Sequence, residues 1–387
     1  MNFDFTFSSL TLLLAGISFL SFLLLTTVYR GFITRVARLR ADQADSDISS
    51  SSLPAVSVVV YATPDCDGLT ETLRMILKQD YPTEFDVIVV NDGGSEDVKD
   101  IVNLLNNSYK NLYITFVPDQ AHSLSRRKLA MTLGVKSARH DCVVFTNGGV
   151  SIDSTRWLAS MTAPFTADKK IVIGYCAMKP GNDNSGMRAF DRVATATTYL
   201  GSAIGGAPYR ANNNNLVLSK KMFLENKGFS RSLNLHGGDD DIFISEIADG
   251  NNTEVVLSDD TILYFETANP SKYHRLEKAS HIFTGRHLHK PGQMMMSFGS
   301  WCRTAGVATG IAASILSLPS LVMSIWVLVT FIASWIIMAM AWGKTACALG
   351  EKMNAHLAPL YSFYRPVYNF YYKIVSFATR RRNFTWS

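Results

Sequence analysis

Three short runs of apolar, mostly β-branched residues each stop at a polar or glycine-rich turn, and this constrains the fold of the 387-residue chain more than any other feature. They are Val56-Ser-Val-Val-Val-Tyr61 before Ala62-Thr-Pro-Asp65, Val87-Ile-Val-Val90 before Asn91-Asp-Gly-Gly94, and Cys142-Val-Val-Phe145 before Thr146-Asn-Gly-Gly149. Near-continuous apolar runs of this kind read as strands buried on both faces. Polar turns at their C-terminal ends mark the place where an open α/β sheet forms its ligand crevice. Between these runs, the hydrophobic spacing predicts helices over residues 69–77, 98–105 and 125–138, with a further strand at 113–117. Strands and helices alternating at such lengths predict βαβ units and a parallel sheet. Beyond Gly149 the regularity fades, and residues 171–290 read as a mixed region with loops. No internal repeat is visible.

Two apolar regions flank this core. Residues 10–28 are almost uninterruptedly apolar and long enough to cross a bilayer as a helix, and residues 305–342 are twice as long and are broken by Pro319. The second region therefore reads as two spans joined by a turn at 317–320. The first lacks a basic leader, and no small-residue cleavage site follows Val28, so it reads as a retained anchor rather than a signal peptide. Arg30, Arg35, Arg38 and Arg40 follow this span, while only Asp4 precedes it. The positive-inside rule then puts the main domain in the cytoplasm of a multi-pass inner-membrane protein. No charged residue falls within these spans, which argues against a transporter or channel.

The resulting organisation is an anchor (1–30), a basic juxtamembrane segment and serine-rich linker (31–54), a cytoplasmic domain (55–290), a hairpin of two spans (300–343) and an aromatic, basic tail (344–387). The tail's composition suits a helix in the membrane interface. Five dispersed cysteines fit a reduced domain rather than a disulfide framework. The net charge of +5 gathers near the apolar regions, which suits anionic lipid headgroups better than nucleic acid.

Three features carry chemistry. Asp92 sits where a strand-end carboxylate can bind a ribose hydroxyl or a base edge, with a solvated turn aspartate as the plainer alternative. The helix at 125–138 opens with Arg126, Arg127 and Lys128. A cationic first turn opposes the helix dipole and calls for a nearby anion such as a diphosphate. In His236-Gly-Gly-Asp-Asp-Asp-Ile-Phe-Ile244, three adjacent carboxylates disfavour full ionisation of all three, which is how a general base is made. An exposed loop or a helix N-cap is the alternative there.

In this order, Ser-Val-Val-Val, Val-Val-Asn-Asp-Gly, Arg-Lys-Leu-Ala-Met-Thr-Leu-Gly-Val-Lys-Ser-Ala, Val-Val-Phe-Thr-Asn-Gly-Gly, Asn-Leu-Val-Leu-Ser-Lys-Lys-Met-Phe and Gly-Asp-Asp-Asp-Ile-Phe resemble membrane-anchored family 2 glycosyltransferases. The likeness is to bacterial members with one N-terminal span and a C-terminal hairpin, and it runs over residues 54–290. It implies the GT-A fold, an α/β Rossmann-type mixed sheet with helices on both faces. It also implies a nucleotide-sugar donor, with Ala62, Asp65 and Asp92 around the base and ribose, Lys128 and Gly134 on the helix facing the diphosphate, and Asn215 near the two sugars. Asp239 and Asp240 match the acidic pair that deprotonates the acceptor hydroxyl. The implied reaction inverts the anomeric carbon, with a divalent metal (Mg or Mn) at the leaving diphosphate.

Two positions depart from the pattern. The Asp-x-Asp metal motif matches Asn147-Gly148-Gly149, where Asn147 offers one neutral oxygen and Gly149 only backbone, so metal affinity falls. The Gln-x-x-Arg-Trp-like segment falls within residues 275–285, with Glu277, Ser280 and His281 in the key places. The expected function is a membrane-bound inverting transfer to a lipid-linked or surface polysaccharide acceptor at the cytoplasmic face. Its partners would be membrane lipids, the donor, the acceptor and other glycan-assembly proteins, with no nucleic acid. The alternative is a catalytically impaired relative that binds or assembles with an active transferase.

Overall fold

The computed structural model describes residues 7–44, 53–64, 67–118, 125–233, 235, 237–239, 241–318 and 321–383. The first half alternates as expected: β1 (Val56–Ala62), α3 (Leu69–Leu77), β2 (Phe85–Asp92), α4 (Glu96–Asn106), β3 (Leu112–Val117), α5 (Arg126–Ser137) and β4 (Cys142–Asn147) follow the helices α1 (Ser9–Val28) and α2 (Arg35–Ala44). Next come β5 (Val150–Ser151), α6 (Trp157–Thr162), β6 (Ile171–Ile173), β7 (Cys176–Met178), α7 (Gly186–Ile204), β8 (Leu216–Ser219), α8 (Lys220–Glu225), α9 (Ile242–Ile247), β9 (Thr253–Val255) and β10 (Leu263–Phe265). The chain ends in α10 (Pro270–Thr284), α11 (Pro291–Leu316), α12 (Val322–Ala348) and α13 (Ala358–Asn383).

Seven strands form one mixed sheet in the order β3-β2-β1-β4-β8-β6-β9, and β5, β10 and β7 form a second, smaller sheet. β1 pairs in parallel with β2 on one side and β4 on the other, so the order reverses there. Such a reversal leaves the C-terminal ends of these strands uncovered, which is where a doubly wound sheet takes its ligand. The side chains of β1 alternate as the pleat requires. Val56, Val58 and Val60 enter the core against α3 and α4, while Val59 enters the opposite core with α5 and α7. Gly134 is glycine because α5 lies directly on the sheet: a Cβ there would fall 2.4 Å from Val59 Cγ1.

Among the described residues, two helical segments are long and apolar enough to cross a membrane, Ser9–Ala44 and Val322–Ala348. The first comprises α1 and α2 joined through a π-helical turn at Tyr29–Ile33, so the basic segment expected to begin a linker at residue 31 is helical as far as Ala44. The third expected span, α11, does not reach the same hydropathy because glycines, polar residues and Arg303 dilute it. It packs closely along α1 through its small residues instead. Gly306 sits against the Phe22 ring, and Ser18 donates to the Gly306 carbonyl at 2.7 Å. The tail expected at the membrane interface is the long helix α13, and it also packs on α10, α12 and α7.

α7 is buried along nearly its whole length yet carries Asp191 and Arg192. Arg192 pairs with Asp183 at 2.7 Å and with Glu351, just past α12, at 3.1 Å. Asp191 receives Arg365 Nε of α13 at 2.8 Å and Lys278 of α10. Burial alone would raise the Asp191 carboxyl, but Arg365, Lys278 and His274 together hold it well below the usual carboxylate range. His274 Nε2 lies 3.5 Å from Asp191, but burial pushes its pKa down to about 4, so the ring is neutral at pH 7 and the contact is not an ion pair.

Asp191→Asn should destabilise the fold by about 3–5 kcal/mol, because it leaves Arg365 and Lys278 buried without their counter-charge. The pH dependence follows the same groups. The contribution of Asp191 is complete above its unfolded value and is lost as pH falls below it. That of His274 is complete above about pH 6.5 and is lost as pH falls toward its folded value of about 4. Thermal unfolding in detergent from pH 8 down to pH 2 checks both, with the His274 loss falling between about pH 6.5 and pH 4 and the Asp191 loss below about pH 4.

Candidate active site

The C-terminal ends of β1 and β4 open into a crevice of about 800 Å³, with α7 and α10 forming the opposite wall. β4 delivers Asn147, and the chain then turns through Gly149, whose φ of +80° is a conformation glycine adopts without strain. The turn is fixed from both sides: Gly148 N donates to the Tyr61 carbonyl at 2.8 Å and Gly149 N to Thr72 Oγ1 at 3.1 Å.

Arg127, in the first turn of α5, is the hub of the crevice. Its Nε lies 2.9 Å from Asp239 Oδ2, and its Nη2 donates to Asn214 Oδ1 at 3.2 Å and to Asn147 Oδ1 at 3.4 Å. The guanidinium also lies over the Tyr61 ring, 5.6 Å from its centroid. Asn147 Nδ2 donates to Asn214 Oδ1 at 2.7 Å, and Asn213 Nδ2 to Asp239 Oδ2 at 2.7 Å. Strand end, helix start and the polar loop before β8 are thereby knitted around one cation.

The residues singled out in the sequence fall into three groups. Asn147, Asp239, Glu277, Ser280 and His281 line the crevice. Ala62 and Asp92 sit at adjacent strand ends, both buried. Asp92 accepts from Arg126 Nε at 2.7 Å and from the Tyr61 hydroxyl. Burial, and then the Asp92 hydrogen bond and charge, push the Tyr61 phenol up, so it stays protonated and donates.

Lys128 and Asn215, by contrast, point into the protein. Lys128 is fully buried, and its Nζ donates to the Ser232 carbonyl at 2.6 Å and the Leu235 carbonyl at 3.3 Å, so it holds the loop that leads to Asp239. Asn215 is fully buried too. It accepts from Trp157 Nε1 at 3.1 Å and donates to the carbonyls of Tyr175 at 2.9 Å and Thr261 at 2.6 Å. Its neighbour Asn214 faces the crevice instead. Asp65 and Asp240 lie outside the described residues. Sequence reading passed over Asn214, although the run of four asparagines from 212 to 215 flagged the loop. It also passed over Asp191 and Arg192, whose buried helix gives no periodic cue.

The two described carboxylates of this run, Asp239 and Asp241, separate in space. Asp239 turns to Arg127, whereas Asp241 is buried, pairs with Arg210 at 2.8 Å, accepts from the Thr284 hydroxyl, and caps α9 through Ile242 N at 2.7 Å. Burial, reinforced by the neighbouring Arg210 charge, pushes His281 down to about 3, so it faces the crevice as a neutral ring.

The residues at β4 do not fit a divalent cation. Asn147 Oδ1, the one side-chain oxygen in the motif position, faces the Arg127 guanidinium, and hard cations prefer charged oxygens to a neutral amide beside another cation. Among the described residues, no three His, Cys, Asp or Glu side chains come together to hold a metal.

Comparison with known proteins fits this geometry. The family described as glycosyl transferase family 21 matches residues 19–378. Glycosyltransferase AglE of Haloferax volcanii is 26% identical over 110 residues, which is 28% of this chain and 34% of that protein. The match therefore spans about a third of that curated relative. Among solved structures, the mannosyltransferase PcManGT from Pyrobaculum calidifontis, in complex with GDP-Man and Mn2+, aligns over 87% of this chain and 98% of its own, with a TM-score of 0.52 at 16% identity. S. aureus TarS (1-349) aligns over 84% of this chain and 91% of its own, with a TM-score of 0.41 at 16% identity. The GT-A-like fold expected from the sequence is the fold observed.

The two neighbouring asparagines should respond differently to truncation. Asn215→Ala orphans the buried Trp157 indole N–H and removes the side-chain donor to the buried Thr261 carbonyl, and should cost at least about 2 kcal/mol. Asn214→Ala, at the crevice wall, should stay within about 1 kcal/mol of wild type. Parallel melting curves of the two variants check this.

Proposed function

Because this chain belongs to glycosyl transferase family 21, we propose that it is a membrane-bound inverting transferase. It would move a sugar from a nucleotide-sugar donor to a lipid-linked or surface glycan acceptor at the cytoplasmic face of the inner membrane. The observation that carries this reading is the crevice at the strand reversal, where Arg127 stands among Asn147, Asn214 and Asp239. Membrane attachment is supported by the two long apolar helices, whose outward side chains, such as Leu13, Leu20, Leu328 and Val329, are exposed. The arginines after residue 29 support the cytoplasmic orientation.

In this mechanism the donor lies across the ends of β1, β2 and β4, with its base and ribose near Ala62, Asp65 and Asp92. The acceptor hydroxyl attacks the anomeric carbon from the side opposite the diphosphate. Asp240, supported by Asp239, takes the hydroxyl proton as the new C–O bond forms. The bond from the anomeric carbon to the diphosphate oxygen breaks, and the nucleoside diphosphate leaves with the electron pair. The residues at β4 do not suit a metal, so the charge that develops on the leaving group falls to Arg127. A guanidinium already oriented by three partners stabilises that charge with little reorganisation. The neutral His281 would supply a hydrogen bond rather than a charge.

Purified full-length protein incubated with radiolabelled UDP- or GDP-sugars and a membrane lipid extract tests the reading. Label should move into the organic phase. Arg127→Gln should lower kcat by about 10²–10³-fold, the loss typical of removing one donor to a developing anion, and Asp240→Asn should abolish transfer. A protein that binds a donor but neither transfers nor hydrolyses it would instead be a binding or assembly partner of an active transferase.

A further inference from the structure

A second cavity, of about 980 Å³, lies between the end of α1 and the helices α10 to α13. Its walls carry Arg210, Lys278, Arg286, Lys290, Arg303 and Lys373, and no aspartate or glutamate among the described residues lines it. Some of these charges are answered from behind, Lys278 by Asp191 and Arg210 by Asp241. Others are not. Among the described residues, neither Lys290 nor Arg303 has a carboxylate partner.

Arg303 is 4% exposed, and its contacts are neutral: the Ser362 hydroxyl at 2.6 Å, the Ser362 carbonyl at 2.8 Å, the Ser300 hydroxyl at 3.0 Å, and the face of Phe363 with its centroid 4.6 Å away. Burial, and then the neighbouring Arg210 charge, push Lys290 down to about 8 despite the opposing pull of Asp241, as expected of a cation short of negative charge. Buried cations without counter-charge are costly among apolar helices, and they mark places where an anion binds.

The surroundings specify the anion further. Trp301 lines the cavity yet is 74% exposed, and Met296 and Phe363 line it too, so large apolar side chains border the space. On the inner side, Thr195, Arg210, Lys278 and His281 line both this cavity and the donor crevice, so the two spaces adjoin. A ligand that fills the path needs an apolar tail, a negative charge beneath it, and a polar end that reaches the crevice.

We propose that this cavity seats the phosphodiester of an amphiphilic acceptor, with its tail along Trp301 and Met296 and its hydroxyl-bearing head directed past His281 toward the donor. This deepens the transferase reading above and rests on it. Lys290, Arg286 and Arg303 hold the phosphate by charge-assisted hydrogen bonds, and the phosphate stays intact while the hydroxyl beyond it reacts.

Full-length protein in detergent can be titrated with three probes: short-chain phosphatidylinositol, octyl glucoside and inorganic phosphate. Phosphatidylinositol has tail, phosphodiester and hydroxyls. Octyl glucoside lacks the phosphate, and inorganic phosphate lacks the tail. Phosphatidylinositol should bind at least about tenfold more tightly than either of the others, Lys290→Gln and Arg286→Gln should each weaken it by about tenfold, and Lys290→Arg should restore it. Donor binding should be unchanged in all three variants. Equal binding of octyl glucoside, or variants without effect, would overturn the proposal. Inorganic phosphate bound as tightly as the lipid would reduce the cavity to a simple anion site and would also overturn it. If phosphatidylinositol binds as stated while no nucleotide-sugar binds, the transferase reading fails and the lipid site stands. If donor transfer proceeds while the lipid does not bind, only the lipid site fails.

Discussion

The charge carried inside α7 is the constraint on which the rest of the structure depends. A helix buried along almost its whole length presents Asp191 and Arg192 to the interior, and each would be prohibitive there without a partner. Those partners come from the far end of the chain: Lys278 of α10, Arg365 of α13, and Glu351 beyond α12. The sheet domain and the apolar helices are therefore bound by ion pairs as well as by packing. Asp191, Arg192 and Glu351 also border the donor crevice, so the wall facing the strand ends is set by the same residues that dock the apolar helices. Glu351 contributes further by accepting from the Tyr175 hydroxyl at 3.1 Å and from Met178 N at 3.2 Å, which ties the smaller sheet to the same network.

The other organising element is Arg127. In a site built around a metal, carboxylates at the end of β4 would gather the cation that meets the diphosphate. Here that strand ends in an amide and two glycines, and a guanidinium on α5 stands beside the amide oxygen. The substitution is consistent across levels. The neutral Asn147 and Asn214 supply oxygens that orient Arg127 without neutralising it, Asp239 holds it from the side, and Tyr61 stacks beneath it. A fixed guanidinium is always charged and presents planar donors suited to phosphate oxygens.

Much of this was legible in the sequence because local pattern and global fold agree in the first half of the chain. β1, β2 and β4 are continuous apolar runs, and the polar C-terminal turns of β1 and β4 gave the crevice directly. The basic start of α5 was also readable, but not which of its three cations lines the crevice. Helical geometry turns Lys128 inward and Arg127 outward, and no periodic signal separates them when all three are charged. In the asparagine loop one position likewise divides the roles, since Asn215 satisfies the buried Trp157 indole and Asn214 remains at the surface of the crevice. The charge pairing of α7 links positions as far apart as Asp191 and Arg365, and no spacing rule reports a contact of that separation. The small residues and Arg303 of α11 serve packing and the second cavity, which lowers the hydropathy on which a spanning helix is recognised.

The most direct test of this account is the affinity of the purified full-length protein for its nucleotide-sugar donor, measured by calorimetry in EDTA and again in excess Mn2+. If Arg127 meets the diphosphate, the two affinities agree to within about twofold; a donor bound about tenfold or more tightly with Mn2+, or bound only with it, would contradict the account.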